Sequence, residues 1–424
     1  MPTSAPSSAP DAQTIQSAAF RFLGRQPILD AQQMPFGHEL LFRDSLQNNF
    51  SGDSETATRQ VIDNILTLGL DAIAAHGKVF LNCTKQTLAD GVVTLLPPAA
   101  MVLEVLETID VDDEVVNSCS ALKQKGFQIA LDDYTPSPGM DRLLDLADYV
   151  KIDFRASDAA ARRKIKRHVR GRSIALLAEK VETGEEFAQA LEEGFSYFQG
   201  YFFAHPVISG SREIPASKMV CLQLLSAVSG TPCDRALVER LVMADTAFCF
   251  RLLRLVNSAG MGIRNTVRTV RQAMTMIGED ELRKLVMVAS AITLGKDGNV
   301  PSELILLGLQ RARFCEMMSA PARLSAGEQY LVGMLSVMDA MLLLPIDKVI
   351  GMVPLHQDAS AVLLGSDGPL SVPLRLLKAY QNKDWTTCET LCRGLRLSEE
   401  RLGEIYIASL RWAAHQVREA GWRS

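Results

Sequence analysis

The chain contains eight cysteines, at positions 83, 119, 221, 233, 249, 315, 388 and 392, yet no CxxC pair and no Cys/His cluster. That scatter excludes a zinc framework and reads as reduced thiols in a reducing compartment. Cys388 and Cys392 stand one helical turn apart, a spacing that core packing explains better than a metal does. No apolar run approaches the ~20 residues that span a bilayer. Residues 1–18, rich in Ser, Ala and Pro, lack both the basic start and the apolar centre of a signal peptide. They read as a disordered tail, and the chain reads as cytoplasmic. No GxGxxG opens a helical segment, so a dinucleotide fold has no support. Positive charge is not in excess: 44 Lys and Arg face 49 Asp and Glu, a net charge of −5. That balance argues against a protein that coats nucleic acid, though not against a local basic patch.

What the chain has is length and ordinary globular composition: 424 residues, 47% hydrophobic and 22% charged. Two or three domains are expected, each able to bury a core. In the first half, short apolar runs end repeatedly in a carboxylate, an amide or a lysine. Val79-Phe80-Leu81 reaches Asn82, Met101-Val102-Leu103 reaches Glu104, and the run from Phe127 to Leu131 reaches Asp132-Asp133. Tyr149-Val150 leads to Lys151, Ile174 to Ala178 leads to Glu179, Tyr197-Phe198 leads to Gln199, and Glu39 precedes Leu40-Leu41-Phe42-Arg43. Helical segments separate these runs. Ser54 to His76, Asp112 to Lys125 and Gly184 to Glu193 carry helical spacing, and each stops at or just before a glycine. Strands alternating with helices over residues 19–208 predict a βα barrel, whose strands open their polar ends onto one shared mouth.

Residues 209–215 read as a linker, and residues 216–424 as an all-α domain. Helical spacing predicts segments at Asp234–Ala244, Ala247–Val256, Val267–Met276, Glu279–Leu294, Ser302–Met318 and Gly327–Leu344. The basic run Arg162, Arg163, Lys164, Lys166, Arg167, His168, Arg170 and Arg172 falls between two barrel strands. It is expected to be a solvated helix face; salt-sensitive nucleic-acid binding is the sharper alternative. His38 and His205 lie near the mouth and read as packing or hydrogen-bonding residues.

Glu39, Asn82, Glu104 and Asp132 offer oxygen donors only, which suit Mg²⁺, Mn²⁺ or Ca²⁺. Asp133, adjacent to Asp132, could reach a second ion, and paired metals are a recurring device for attacking a phosphodiester with water. Lys151 could orient or deprotonate that water, or neutralise phosphate charge. Arg43 could clamp a phosphate oxygen.

These residues carry a resemblance to the EAL domain, a barrel that binds and hydrolyses cyclic di-GMP. The matching pieces are Gln26-Pro27-Ile28, Glu39-Leu40-Leu41-Phe42-Arg43, Leu81-Asn82, Leu103 to Glu107 and Asp132-Asp133. Lys151-Ile152-Asp153, Ala178 to Thr183, and Gln199-Gly200-Tyr201 followed by Pro206 complete the set. The resemblance implies that Glu39, Asn82, Glu104, Asp132 and Asp133 hold Mg²⁺ or Mn²⁺. It implies that Lys151 and Glu179 hold and activate the water, that Gln26, Arg43, Glu182 and Gln199 contact the nucleotide, and that Glu107 organises the loop after Asp133. Two departures stand out. Leu40 replaces the signature alanine, and Tyr134-Thr135-Pro136-Ser137-Pro138 replaces a Phe-Gly-Thr-Gly loop. Prolines fix φ and remove amide donors where glycines would bend freely.

The helical half resembles the HDOD domain, a relative of metal-dependent HD phosphohydrolases. The match rests on Phe250 to Ala259, the Gln272 to Gly278 turn, and Gly333 to Met338. Ser336 and Val337 stand where an active relative has His and Asp, so this half is expected not to hydrolyse. Together the halves resemble EAL–HDOD signalling proteins of bacteria. Two readings follow: an enzyme that hydrolyses cyclic di-GMP, or a receptor or scaffold that only binds the nucleotide or partner proteins. Either reading implies a protein partner for the helical half. Pairing of two barrels is left open.

Overall fold

The computed structural model describes residues 23–42, 54–68, 77–204, 216–230, 232–258, 261, 266–296 and 300–420. The expected tail, the 209–215 linker, Arg43, His205 and the end of the first predicted helix lie outside those residues. β1 (Leu23–Asp30) and β2 (Pro35–Phe42) form a hairpin. Its turn is closed by Asp30, whose carboxylate accepts from the amides of Gln32 and Met34 at 2.9 and 2.8 Å. So short a connection permits only antiparallel pairing. The barrel is therefore not uniformly parallel: β1 runs antiparallel to both β2 and β8, and the other pairs are parallel.

The barrel continues through α1 (Ser54–Leu68), β3 (Lys78–Cys83), α2 (Lys85–Ala89), β4 (Met101–Val105), α3 (Asp113–Gln124) and β5 (Gln128–Leu131). It closes through β6 (Tyr149–Asp153), α4 (Ala159–Val169), β7 (Ala175–Glu179), α5 (Gly184–Glu192) and β8 (Tyr197–Gln199), giving the circular order β1 to β8. The helix starts are specified locally. Asp112 and Asp158 accept from Val115 and Ala161 amides, and Thr183 forms a capping box with Glu186. Gly126 and Gly194 take φ of +93° and +85° just past α3 and α5, as expected of helix terminators. On α4 the basic run divides: Arg163, Lys164 and Arg167 face solvent, but Arg162 is buried. Arg162 pairs with Glu193 at 2.7 Å, donates to the Phe154 carbonyl and lies 3.9 Å above the Phe154 ring.

The second half comprises α6 (Ala216–Ser229), α7 (Arg235–Ala244), α8 (Thr246–Val256), α9 (Val270–Met276), α10 (Glu279–Lys296), α11 (Ser302–Ala322) and α12 (Ala326–Leu335). It continues with α13 (Met338–Leu342), α14 (Ile346–Gly351), α15 (Gln357–Leu363), α16 (Val372–Gln381), α17 (Trp385–Leu395) and α18 (Glu399–Glu419). α11 runs through the middle, against α12, α16 and α18. Two predicted segments differ. Val267 is not helical, because the Asn257 side chain binds both its amide and its carbonyl, at 2.7 and 2.8 Å. The predicted Gly327–Leu344 helix breaks between α12 and α13 at Ser336-Val337. There the Ser336 hydroxyl donates to the Gly333 carbonyl at 2.7 Å, and Arg311 donates to the Ser336 carbonyl at 3.3 Å.

Cys388 and Cys392 are buried core thiols, and none of the described cysteines forms a disulfide. Among the described residues no helix is long and apolar enough to cross a membrane. One apolar cluster runs from the shell of barrel helices into the helical half. The two halves also share a buried polar contact: Glu303 on α11 accepts from Arg25 at 3.1 Å and meets His38 Nε2 at 3.3 Å.

Candidate active site

Inside the barrel, one apolar layer is built from Ile28, Phe80, Val102, Ala130, Tyr149 and Leu177, with Phe36 and Tyr197 packed against it. Phe36 and Tyr197 stack at 3.9 Å between ring centroids. Side chains alternate along a strand, so the next inward residue is two positions on. From Phe80 that step reaches Asn82, from Val102 Glu104, and from Ala130 Asp132. From Tyr149 it reaches Lys151, from Leu177 Glu179, and from Tyr197 Gln199. On antiparallel β1 the step runs backwards, from Ile28 to Gln26. β2 alone breaks the rule. Its register shifts beside Ile28 and Leu29, which leaves Phe36 as an extra inward residue and sets Glu39 opposite Gln26. The polar strand ends are thus the layer above an apolar plug.

The layer centres on Lys151, which has no exposed surface. Its ammonium lies 2.6 Å from Glu104, 2.8 Å from Asp132, 3.0 Å from Glu179 and 3.8 Å from Glu39. Gln199 donates to Gln26 at 2.9 Å and to Glu39, and Asn82 donates to Glu39 at 3.1 Å. Burial alone would lower the Lys151 pKa, but Asp132, Glu104, Glu179 and Glu39 hold it well above the usual value. Four carboxylates around that one ammonium cannot all ionise cheaply. Burial pushes Glu104 well above the carboxylate range, against the pull of Lys151. It raises Glu179 to about 7, with Asp132 adding repulsion and Lys151 opposing. At Glu39 burial is outweighed: Lys151, Lys383 and the Gln199 and Asn82 hydrogen bonds hold it at about 2.

Asp133 sits beside the layer with a φ of +39°, and burial and Asp132 raise its pKa. In the absence of glycine, the left-handed residue of this loop is Asp133 itself. Tyr134 then turns away from the mouth. Its ring is buried, its amide donates to the Lys151 carbonyl at 3.0 Å, and its hydroxyl donates to Asp141 at 2.6 Å. Glu107 is exposed and makes no hydrogen bond or ion pair among the described residues. Glu182 lies at the rim, paired with Arg155 at 2.7 Å.

Among the described residues, no three His, Cys, Asp or Glu side chains stand as a ready metal cage, because the carboxylates turn to Lys151. The donors nevertheless fit a hard cation. Glu104 Oε2, Asn82 Oδ1 and Asp133 Oδ1 are buried oxygens without a hydrogen-bond partner, and an orphaned buried acceptor is costly.

A cavity of about 110 Å³ adjoins this layer, lined by Gln26, Glu179, Lys180, Glu182, Gln199 and, from the helical half, Asn382 and Lys383. Lys383 Nζ stands 3.7 Å from Glu39 Oε1. Sequence reasoning missed Lys180, Asn382 and Lys383. Lys180 was legible as the neighbour of Glu179, whereas nothing in the sequence ties Lys383 to a strand end in the other half.

A family model described as the EAL domain matches residues 54–206, and one described as the HDOD domain matches residues 214–346. The first begins after β2, so Gln26 and Glu39 fall outside it. Over 399 residues the chain is 36% identical to the cyclic di-GMP phosphodiesterase CdgJ of Vibrio cholerae, covering 92% of each chain. It is 29% identical over 408 residues to the protein YuxH of Bacillus subtilis, covering 94% of this chain and 99% of that one. Among solved structures, a standalone EAL protein from Vibrio cholerae O395 in its c-di-GMP-bound form is 24% identical. It covers 43% of this chain and 90% of its own, with a TM-score of 0.34.

Proposed function

Because the chain belongs to the EAL–HDOD family, we propose that its barrel acts on cyclic di-GMP as a metal-dependent phosphodiesterase and that its helical half is a non-catalytic output domain. The observation that carries this reading is the layer of Glu39, Asn82, Glu104 and Asp132 around Lys151, with orphaned buried oxygens facing one mouth. Those four residues would hold a first divalent ion, with Asp133 serving a second; Mg²⁺ and Mn²⁺ suit oxygen donors. Bound there, such ions would polarise the phosphodiester and make a bound water more acidic.

The remaining roles fall to the chain itself. Glu179, held at about 7, is poised to accept a proton from water near neutral pH. Lys151 keeps the carboxylates gathered and offers positive charge to the phosphate oxygens. Gln26, Gln199 and Glu182 line the cavity and would orient the nucleotide; Arg43, outside the described residues, would join them. Attack of water on one phosphorus would break one P–O ester bond and give the linear dinucleotide, the water's proton passing to Glu179 and the departing ribose oxygen taking a proton from solvent. Cysteines that form no disulfide fit a cytoplasmic setting.

A receptor reading is favoured by one feature, the anchoring of Tyr134 in the core, which draws the 134–138 loop away from the mouth. Incubation of the full chain with cyclic di-GMP and Mg²⁺ or Mn²⁺ separates the two. The enzyme predicts linear dinucleotide by chromatography and its loss to background in Glu39→Ala. Tight calorimetric binding without turnover leaves the receptor. Absence of both removes the nucleotide.

The HDOD half fits an output role, since Ser336 is tied to Gly333 and Arg311, and Val337 is fully buried.

A further inference from the structure

Both oxygens of Glu39 face an ammonium, and the two ammoniums come from different halves of the molecule. Lys151 Nζ lies 3.8 Å from Oε2, and Lys383 Nζ lies 3.7 Å from Oε1. A divalent ion that takes Glu39 as a ligand must relieve one of these pairs, because like charges cannot share so small a space. Lys151 is not free to yield: it has no exposed surface, and Glu104, Asp132 and Glu179 hold it in the barrel. Lys383 is 39% exposed, and Glu39 is its only ion-pair partner among the described residues. Its four-carbon stem can swing into water without breaking another ion pair among the described residues.

The segment that carries Lys383 is well fixed. Lys383 takes a φ of +62° in the turn between α16 and α17. Its amide donates to the Tyr380 carbonyl at 3.3 Å, the Asp384 amide donates to the Ala379 carbonyl at 2.9 Å, and Asp384 caps α17 through Thr387. Gln381, just before the turn, is buried and donates to Gln310 on α11 at 3.4 Å. The turn is thus part of the helical half's own framework, held against the barrel where Glu303 grips Arg25 and His38.

We propose that Lys383 is a tethered cation that competes with the divalent metal for Glu39, so that metal loading of the barrel is linked to the position of the helical half over its mouth. The inference rests on the metal-site reading of Glu39 given above. It also accounts for the size of the cavity. Its volume of about 110 Å³ is well below the ~300–1,000 Å³ that encloses a drug-sized ligand, and Asn382 and Lys383 form one of its walls. Withdrawal of Lys383 frees Glu39 and widens the site in the same movement.

The test is Mn²⁺ affinity of the full chain without nucleotide, measured by calorimetry and independently by electron paramagnetic resonance of free Mn²⁺. Lys383→Met keeps the stem and removes the charge; it is expected to bind Mn²⁺ about five- to tenfold more tightly, the effect of one partly solvated charge at this range. Lys383→Arg keeps the charge and is expected to match the unaltered chain. Equal or weaker Mn²⁺ affinity in Lys383→Met overturns the proposal. If cyclic di-GMP affinity falls while Mn²⁺ affinity is unchanged, Lys383 is a phosphate contact, not a competitor. If the unaltered chain binds no Mn²⁺, the metal-site reading fails and the proposal fails with it. That outcome is distinct from equal binding by both forms.

Discussion

Lys151 shows how one buried residue can be structural before it is chemical. Its ammonium is within 3.0 Å of three carboxylates and has no exposed surface. Removing one partner of such a cluster leaves uncompensated buried charge, which costs about 3–5 kcal/mol. Lys151→Met is therefore expected to lower the unfolding free energy of the metal-free protein, read from urea titration, by that order. The loss should shrink on moving from pH 8 to pH 5, because carboxylates that lose their cation take up protons, and Glu179 already stands at about 7. Added Mn²⁺ should restore more stability to the variant than to the unaltered chain, since the ion supplies the positive charge that the variant lacks. Equal Mn²⁺ stabilisation of both proteins would sink that account.

At the scale of elements, the barrel site was readable because a strand's period of two places each polar residue above an apolar one. Glu104 after Val102 and Lys151 after Tyr149 are such steps, and each is visible in a stretch of five residues. The reversed β1 was not visible in that way, because its direction follows from the short turn at Asp30 and not from its apolar pattern. The break at Ser336 was hidden too. Gly327 to Leu344 keeps helical spacing throughout, and only the packing of α12 on α11 interrupts it. Gly333 marks that packing: an added Cβ would lie 2.4 Å from the Arg311 carbonyl oxygen and 2.7 Å from the Ala312 Cα. These neighbours are backbone and cannot step aside. Gly333→Ala should destabilise the chain by more than the usual ~1–3 kcal/mol of overpacking, while Gly351→Ala, with open space around it, serves as the control in thermal unfolding.

At the scale of the molecule, the helical half holds the barrel twice over the same hairpin. Lys383 meets Glu39 from above the mouth, and Glu303 meets Arg25 and His38 through the wall. Arg25 and His38 each precede a residue of the site, Gln26 and Glu39, so alternation sends one side chain inward and its neighbour to the other half. No local pattern reveals this pairing, since the partners lie 278 and 265 residues apart. Its energetics are open to measurement. Burial would raise the Glu303 pKa, but Arg25 and His38 bring it from 4.5 down to about 2. A carboxyl with a depressed folded pKa binds its proton more readily in the unfolded chain, so its contribution is whole above pH 4.5 and is lost as pH falls toward 2. The size is on the order of 3 kcal/mol. Glu303→Gln should therefore be less stable than the unaltered chain at pH 6 to 7, and the gap should narrow steadily below about pH 4.5. Denaturant titrations of both proteins across that range test this directly, and a gap that stays constant with pH would mean that Glu303 joins the halves by shape and not by charge.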